Sequence, residues 1–306
     1  MERLRLIFVT KSDPDCGNYN TALRICQGLV SIRPTWSYRI VSTTADTLED
    51  PTSADVLLCL HLYRCASLLG QGGNLSEKNL KLIGIAGGTD LNEDSKQPDR
   101  RAVMQNFALN CRHIVVFSES MLQFFKQLMS EDLGSVAETS LPPVSIIPQG
   151  ISISSLQRDL HVEELGDADD EAPGHCGAYF VIVGRIRPVK NCCSVLEPFR
   201  QWKLEQRTQN MAKNSKQEFK SHVLGVPTIV SAVPGNTDLV KHLETGFVFG
   251  NDEQLIRCLS LVASEIKADQ ALVQSVTESA KLFVQRSHDI DAELKAYVEL
   301  IEDCVR

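Results

Sequence analysis

Leu4-Arg-Leu-Ile-Phe-Val9, then Lys11-Ser-Asp-Pro-Asp15, then Gly17-Asn18 ahead of Thr21-Ala-Leu-Arg-Ile25, is the stretch that decides the fold. A short apolar run closed by polar turn residues predicts a buried β-strand. Beyond the turn, Thr21, Ala22, Ile25, Leu29 and Val30 recur at helical spacing, so a helix follows the strand. The same rhythm continues. Strands are expected at Tyr38–Ser42, Asp55–His61, Leu80–Ala86, Ile114–Phe117 and Val144–Ile147, and a helix at Ser120–Met129 capped by Ser118 or Ser120. Strands that alternate with helices predict an α/β fold whose parallel sheet is covered on both faces.

Residues 157–175 break this pattern. Glu163, Glu164, Asp167, Asp169, Asp170 and Glu171 form an acidic run that ends in Ala-Pro-Gly, which reads as a solvated linker. The expected organisation is a first domain over 1–156, an acidic linker over 157–176 and a second domain over 177–306. The second half offers strands at Ala178–Val183, Thr228–Val233 and Gly246–Phe249. Helices are expected at Ser194–Gln206, Leu255–Ile266, Leu272–Phe283 and Asp291–Val305, all assigned to the second domain.

Composition narrows the function classes. The 306 residues are 43% hydrophobic and 23% charged, with a net charge of -8, as expected of a folded soluble protein. An acidic chain lacks the electrostatic footprint of a nucleic-acid binder. No run of 18 apolar residues occurs, so no membrane span is expected. Leu6–Val9 is too short for the apolar core of a signal peptide. The ten cysteines include no Cys-x-x-Cys pair and sit mostly in apolar segments, which reads as buried thiols in a reducing, cytoplasmic setting rather than a metal site.

Two features carry chemistry. Gly17 stands at a strand-to-helix turn, where a glycine lets a ligand approach the backbone and helix amides attract an anion; it equally serves a turn alone. No Gly-x-Gly-x-x-Gly follows the first strand, which disfavours a dinucleotide site. Arg185 and Lys190 follow the strand at 178–183, outside a carboxyl end, where open α/β sheets bind ligands. A forked guanidinium and a mobile ammonium suit a diphosphate. The spacing alone fits two surface cations equally well.

Gly17-Asn18 with Thr21-Ala22, Gly87-Gly-Thr-Asp90, Pro148-Gln-Gly150, Val183-Gly-Arg-Ile-Arg-Pro-Val-Lys190 and Gly225-Val-Pro-Thr-Ile-Val-Ser-Ala-Val-Pro-Gly235 together resemble the retaining family 4 (group 1) glycosyltransferases of GT-B fold. The resemblance covers roughly 1–200 and 223–290. It implies two Rossmann-like domains, with the nucleotide-sugar donor bound mainly by the second and an acceptor by the first. It implies no cofactor, and no metal, since cationic side chains take that role. Gly17 would approach the donor phosphates, and Arg185 and Lys190 would neutralise the leaving diphosphate. Asn236, Thr237 and Asp238 would lie by the donor. His61 would stand near the reacting sugar as a catalytic residue, or else be a hydrogen-bonded strand-end histidine.

The chain departs from the family at one place. The family's Glu-x7-Glu pair, counted back from Gly225-Val-Pro227, falls on Ala212 and Lys220. The segment 191–224 is also too short and polar for the usual interior strands. The expectation is therefore a shortened second domain and little or no sugar transfer. The alternative is a non-catalytic isoform that binds a nucleotide or a partner protein.

Overall fold

The computed structural model describes residues 3–11, 13, 16–43, 53–70, 81–130, 141–151, 192–210, 226–267 and 271–306. They fall into two compact units. The first comprises Met1–Ile151 together with His288–Arg306, and the second Ser152–Ser287.

The first unit is built on six parallel strands: β1 (Arg5–Thr10), β2 (Ser37–Ser42), β3 (Val56–Leu60), β4 (Lys81–Ile85), β5 (His113–Val116) and β6 (Val144–Ile146), in the order β2-β1-β3-β4-β5-β6. All six lie within a residue or two of the apolar runs expected to form them. The reversal of strand order beside β1 places crossover helices on both faces. Side-chain alternation makes the two faces explicit. Leu6, Phe8, Val56, Leu58, Leu60, Ile83 and Ile85 point to one face, and Ile7, Val9, Leu57, Cys59 and Leu82 to the other. Both rows are buried, so the strands read as continuous apolar runs rather than alternating ones.

The second row is covered by α2 (Leu62–Gly70), α4 (Pro98–Leu109) and α5 (Glu119–Ser130), through Cys65, Met104, Phe107, Phe125 and Leu128. A short helix α3 (Gly88–Asn92) and a 3-10 turn (Asp94–Lys96) lead into α4. The sequence reading did not anticipate α2 or α4. The buried apolar residues of α4 are Met104, Phe107 and Ala108, with Leu109 partly buried beside them, and its first turn is charged.

The first row is covered by α1 (Gly17–Ile32) and by the last helix of the chain, Ile290–Val305. This corrects the expected second domain over 177–306. The face formed by Leu294, Tyr297, Val298 and Ile301 packs with Ala22, Ile25 and Leu29 against the first sheet. A glycine allows the close approach. A Cβ on Gly28 would stand 2.4 Å from the Leu294 side chain. Arg24 of α1 donates to the Glu293 carboxylate, with Nη2 3.0 Å from Oε1. Ile151 pairs with Asp289, and the amide of Ile151 donates to the His288 carbonyl at 2.8 Å. Asp289 caps the final helix, its Oδ1 accepting from the amides of Asp291 and Ala292.

In the second unit, α6 (Leu196–Asn210), β7 (Ile229–Ser231), α7 (Asn236–Leu239), β8 (Phe247–Phe249), α8 (Asp252–Lys267) and α9 (Ala271–Ser287) are described, and the final helix of the first unit becomes α10. β7 and β8 pair in parallel. Trp202, Leu255, Leu259 and Ala263 form one core cluster, and Phe247, Cys258, Val262 and Val276 another. The expected strand at 178–183, the linker and the polar segment 211–222 lie outside the described residues. Cys26, Cys59, Cys65, Cys111, Cys258 and Cys304 are buried free thiols, and burial pushes the Cys26 thiol up to about 12. No helix among the described residues is long and apolar enough to cross a membrane.

Candidate functional site

Parallel strands end together, so the loops after β1, β3 and β4 gather at one edge of the first sheet. The register pairs Val9 with Cys59 and Leu60 with Ile85. Gly17, His61 and the Gly87-Gly88 turn therefore share this carboxyl edge, as expected for Gly17 and His61.

Gly17 is the first residue of α1, and Cys16 before it makes no side-chain cap. Its φ lies outside the left-handed region, and a Cβ there would meet no atom of the described residues within 4 Å. Among the described residues nothing crowds this position, in contrast to Gly28. Gly88 is similar, with Asn92 Nδ2 at 3.9 Å the nearest neighbour of a built Cβ. Among the described residues, both glycines are uncrowded beyond a strand end.

His61 lies beneath this edge and is 3% exposed. It follows β3 directly, with a φ of 89°, a left-handed conformation that costs an L-residue on the order of 1 kcal/mol. Its amide donates to the Ile85 carbonyl at 3.0 Å and its carbonyl accepts from Cys65 at 3.0 Å, which starts α2. Nδ1 is 3.2 Å from Asp90 Oδ1, and Nε2 is 3.6 Å from Asp94 Oδ2. No described atom meets either ring nitrogen at a good hydrogen-bond angle.

Both carboxylates are anchored. Asp90 Oδ2 accepts from the amide of Leu62 at 2.6 Å and from that of Gly87 at 3.1 Å, so one oxygen satisfies a first-turn donor of α2 and one at the start of α3. Asp94 Oδ1 accepts from Arg100, whose guanidinium also stacks 5.0 Å above the Tyr63 ring. Burial holds the His61 ring down to about 4; Arg64 adds to the shift and Asp94 opposes it. Burial raises the Asp90 carboxyl to about 7 against the pull of its backbone donors. Sequence reasoning quoted Asp90 within Gly87-Gly-Thr-Asp90 without giving it a role. It missed Asp94 and Arg100, which no spacing singles out.

In the second unit, Gly235 has a φ of 88° and turns the chain after β7 into α7. Asn236 Nδ2 donates to the carbonyl and hydroxyl oxygens of Ser231 at 3.1 and 3.2 Å, which closes this turn. Thr237 Oγ1 donates to the Val233 carbonyl at 3.4 Å, and Asp238 shares the helix. These three consecutive residues follow the turn beyond β7. Arg185 and Lys190 lie outside the described residues. Among the described residues, no cluster of His, Cys, Asp and Glu is arranged to hold a metal ion. A groove of about 260 Å³, lined by Leu4, Arg33, Trp36 and Glu302, sits at the opposite, amino edge of the sheet.

No family model matches the chain. The HepE protein of Anabaena, solved in complex with UDP and glucose, superimposes with a TM-score of 0.65 at 12% identity, over 98% of this chain and 100% of that one. Sucrose-phosphate synthase from Thermosynechococcus elongatus gives a TM-score of 0.64 at 12% identity, over 98% and 99%. The chain has a GT-B-type fold. In sequence it is 22% identical to glycosyltransferase 1 domain-containing protein 1 of Xenopus tropicalis, over 97% of each chain. That match spans 361 positions against 306 residues here, so the relative carries residues with no counterpart in this GT-B-type chain.

Proposed function

We propose that this chain binds the nucleotide-sugar donor of a retaining, hexose-transferring glycosyltransferase at the carboxyl edges of its sheets, with sugar transfer far weaker than binding. The observation that carries the reading is Gly17. Among the described residues nothing stands within 4 Å of a Cβ built there, and a position so placed suits a diphosphate approaching the first amides of α1. The resemblance would give Arg185 and Lys190 the leaving diphosphate, make Asn236, Thr237 and Asp238 donor contacts and give His61 a part in the transfer. The donor is a substrate; the reading needs no cofactor, and the two cations serve where a metal otherwise would. The glycosyltransferase relative and the UDP-bound neighbour support the class. Buried free thiols support a reducing, cytoplasmic setting.

Weak transfer follows from Ala212 and Lys220 at the positions of the family's paired glutamates. A non-catalytic nucleotide binder is the second reading, favoured by the same two residues. The test is UDP binding by calorimetry and thermal shift, alongside UDP-glucose turnover. UDP raises the melting temperature of wild type, because a ligand of the native state adds stability. Gly17→Ala melts at the same temperature or higher without ligand, since alanine is the better helix residue, yet binds UDP more weakly. Arg185→Ala and Lys190→Ala each lose about 1.5–3 kcal/mol of binding, ten-fold or more in affinity. If neither UDP nor GDP at millimolar concentration shifts the wild-type melt, the proposal fails. Turnover at an enzyme-like rate would remove its claim of weak transfer.

A further inference from the structure

His61 is enclosed, and both of its ring nitrogens face carboxylates on the chain that follows β4. A side chain so placed does not itself reach a substrate. It joins the end of β3 to the turn after β4. Among the described residues, four charged groups face it: Arg64 from α2, Asp90 from α3, Asp94 from the 3-10 turn and Arg100 from α4.

The two carboxylates are not equivalent. Asp90 has one oxygen committed to the amides of Leu62 and Gly87, which fixes its plane and aims the other oxygen at Nδ1. At 3.2 Å a small rotation of the ring completes that hydrogen bond, whereas Nε2 to Asp94 at 3.6 Å is beyond one. Asp94 has a stronger partner in Arg100. The ionised Asp90 only accepts, so the neutral ring must carry its proton on Nδ1.

We infer that Asp90 is a positioning residue, which sets the Nδ1–H tautomer of His61 and through it holds the Gly87-Gly88 turn against the end of β3. The cost of the left-handed His61 backbone is met here, because the ring has one geometry that serves both loops. The turn at Gly88 then keeps a fixed place on the edge that Gly17 shares, with the end of β3 between them. The relevance of that placement to donor binding rests on the proposed function; the tautomer does not.

Histidine-selective 15N labelling of the full chain tests this at pH 8, where the Asp90 carboxyl is ionised. Of the seven histidines, His61 is identified by its loss in His61→Gln, or as the ring that stays neutral down to about pH 4. In wild type its Nδ1 carries the proton. In Asp90→Asn the amide carbonyl takes over the two backbone donors, and the amide nitrogen turns toward Nδ1. Nδ1 must then accept, so the proton moves to Nε2 and the two nitrogen shifts exchange. Asp94→Asn leaves the proton on Nδ1. UDP affinity falls several-fold in folded Asp90→Asn and is restored in part by Asp90→Glu.

A wild-type His61 protonated on Nε2 at pH 8 overturns the inference, and needs no variant to fold. So does an unchanged tautomer in Asp90→Asn. Wild type that fails to bind UDP, with the tautomer exchange intact, refutes the donor reading alone and leaves the positioning role standing. Folded Asp90→Asn that exchanges tautomer but keeps wild-type UDP affinity removes the placement of the Gly88 turn from donor binding.

Discussion

Removing Arg24 tests whether the last helix is an integral part of the first unit. The Glu293 side chain is 0% exposed and both of its oxygens meet Arg24, whose own side chain is 26% exposed. In Arg24→Ala the carboxylate stays buried beside the Tyr297 hydroxyl, which has no hydrogen-bond partner among the described residues. Stranding a buried charge costs about 3–5 kcal/mol, a large share of a typical domain's stability. The pair itself is worth much less than that, because forming it already required desolvating both groups. Glu293→Gln therefore costs less than Arg24→Ala, and adding Glu293→Gln to Arg24→Ala restores part of the loss.

The two tryptophans make the assay specific. Trp36 is buried with Tyr297, Val298 and Ile301 in the first unit, and Trp202 in a core cluster of the second. In a Trp202→Phe background, urea unfolding followed by fluorescence reports the first unit alone. With a urea dependence of about 2 kcal/mol/M, Arg24→Ala lowers the midpoint by about 1.5–2.5 M at pH 8. A loss under about 1 kcal/mol, or strict additivity of the two substitutions, would refute the ion-pair argument.

Two further outcomes are expected. Gly150→Ala builds a Cβ 2.6 Å from the Ile290 Cα and 2.8 Å from Glu293 Oε2, and backbone cannot yield as a side chain does. It costs about 1–3 kcal/mol, roughly 2–12 °C in melting temperature by calorimetry, and an unchanged melt would deny the contact. Between pH 6.5 and 4, wild-type stability is nearly flat at this site. Asp90, raised to about 7, gains stability as pH falls through that window, while His61, lowered to about 4, loses it. Asp90→Asn leaves only the His61 slope, a loss of about 3 kcal/mol from pH 6.5 to 4 by urea titration. A parallel slope in wild type would show that the two groups do not offset one another.

The six strands were legible because burial on both faces leaves a plain mark, a short apolar run between turns. The helices were legible only where their stripe was long. Leu255–Ile266 announces itself, whereas Met104, Phe107 and Ala108 span little more than one turn behind a charged start. The destination of the last helix was not legible at all. Leu294, Tyr297, Val298 and Ile301 declare an apolar face, but any sheet could cover it. The decisive residue, Gly28, was given no part in the sequence reading and proves to be a notch for Leu294. At the site, Gly17 and His61 could be found because they follow strands. Asp90, Asp94 and Arg100 could not, because their partners are brought to them by the fold and not by spacing.

The energetics of that edge argue for a use beyond folding. His61 bears a strained φ, and His61, Asp90 and Asp94 are buried polar groups whose desolvation is only partly offset. Apolar residues of similar volume commonly serve stability as well or better than buried ion pairs. Two strands away, the same sheet is filled by isoleucines and valines with no such cost. His61, Asp90 and Asp94 gather this expense at one strand-end, flanked by Gly17 and Gly88, where among the described residues a built Cβ would meet no atom closer than 3.9 Å. Local cost and unneeded space in one place are what a chain shows where its backbone is shaped for something it binds.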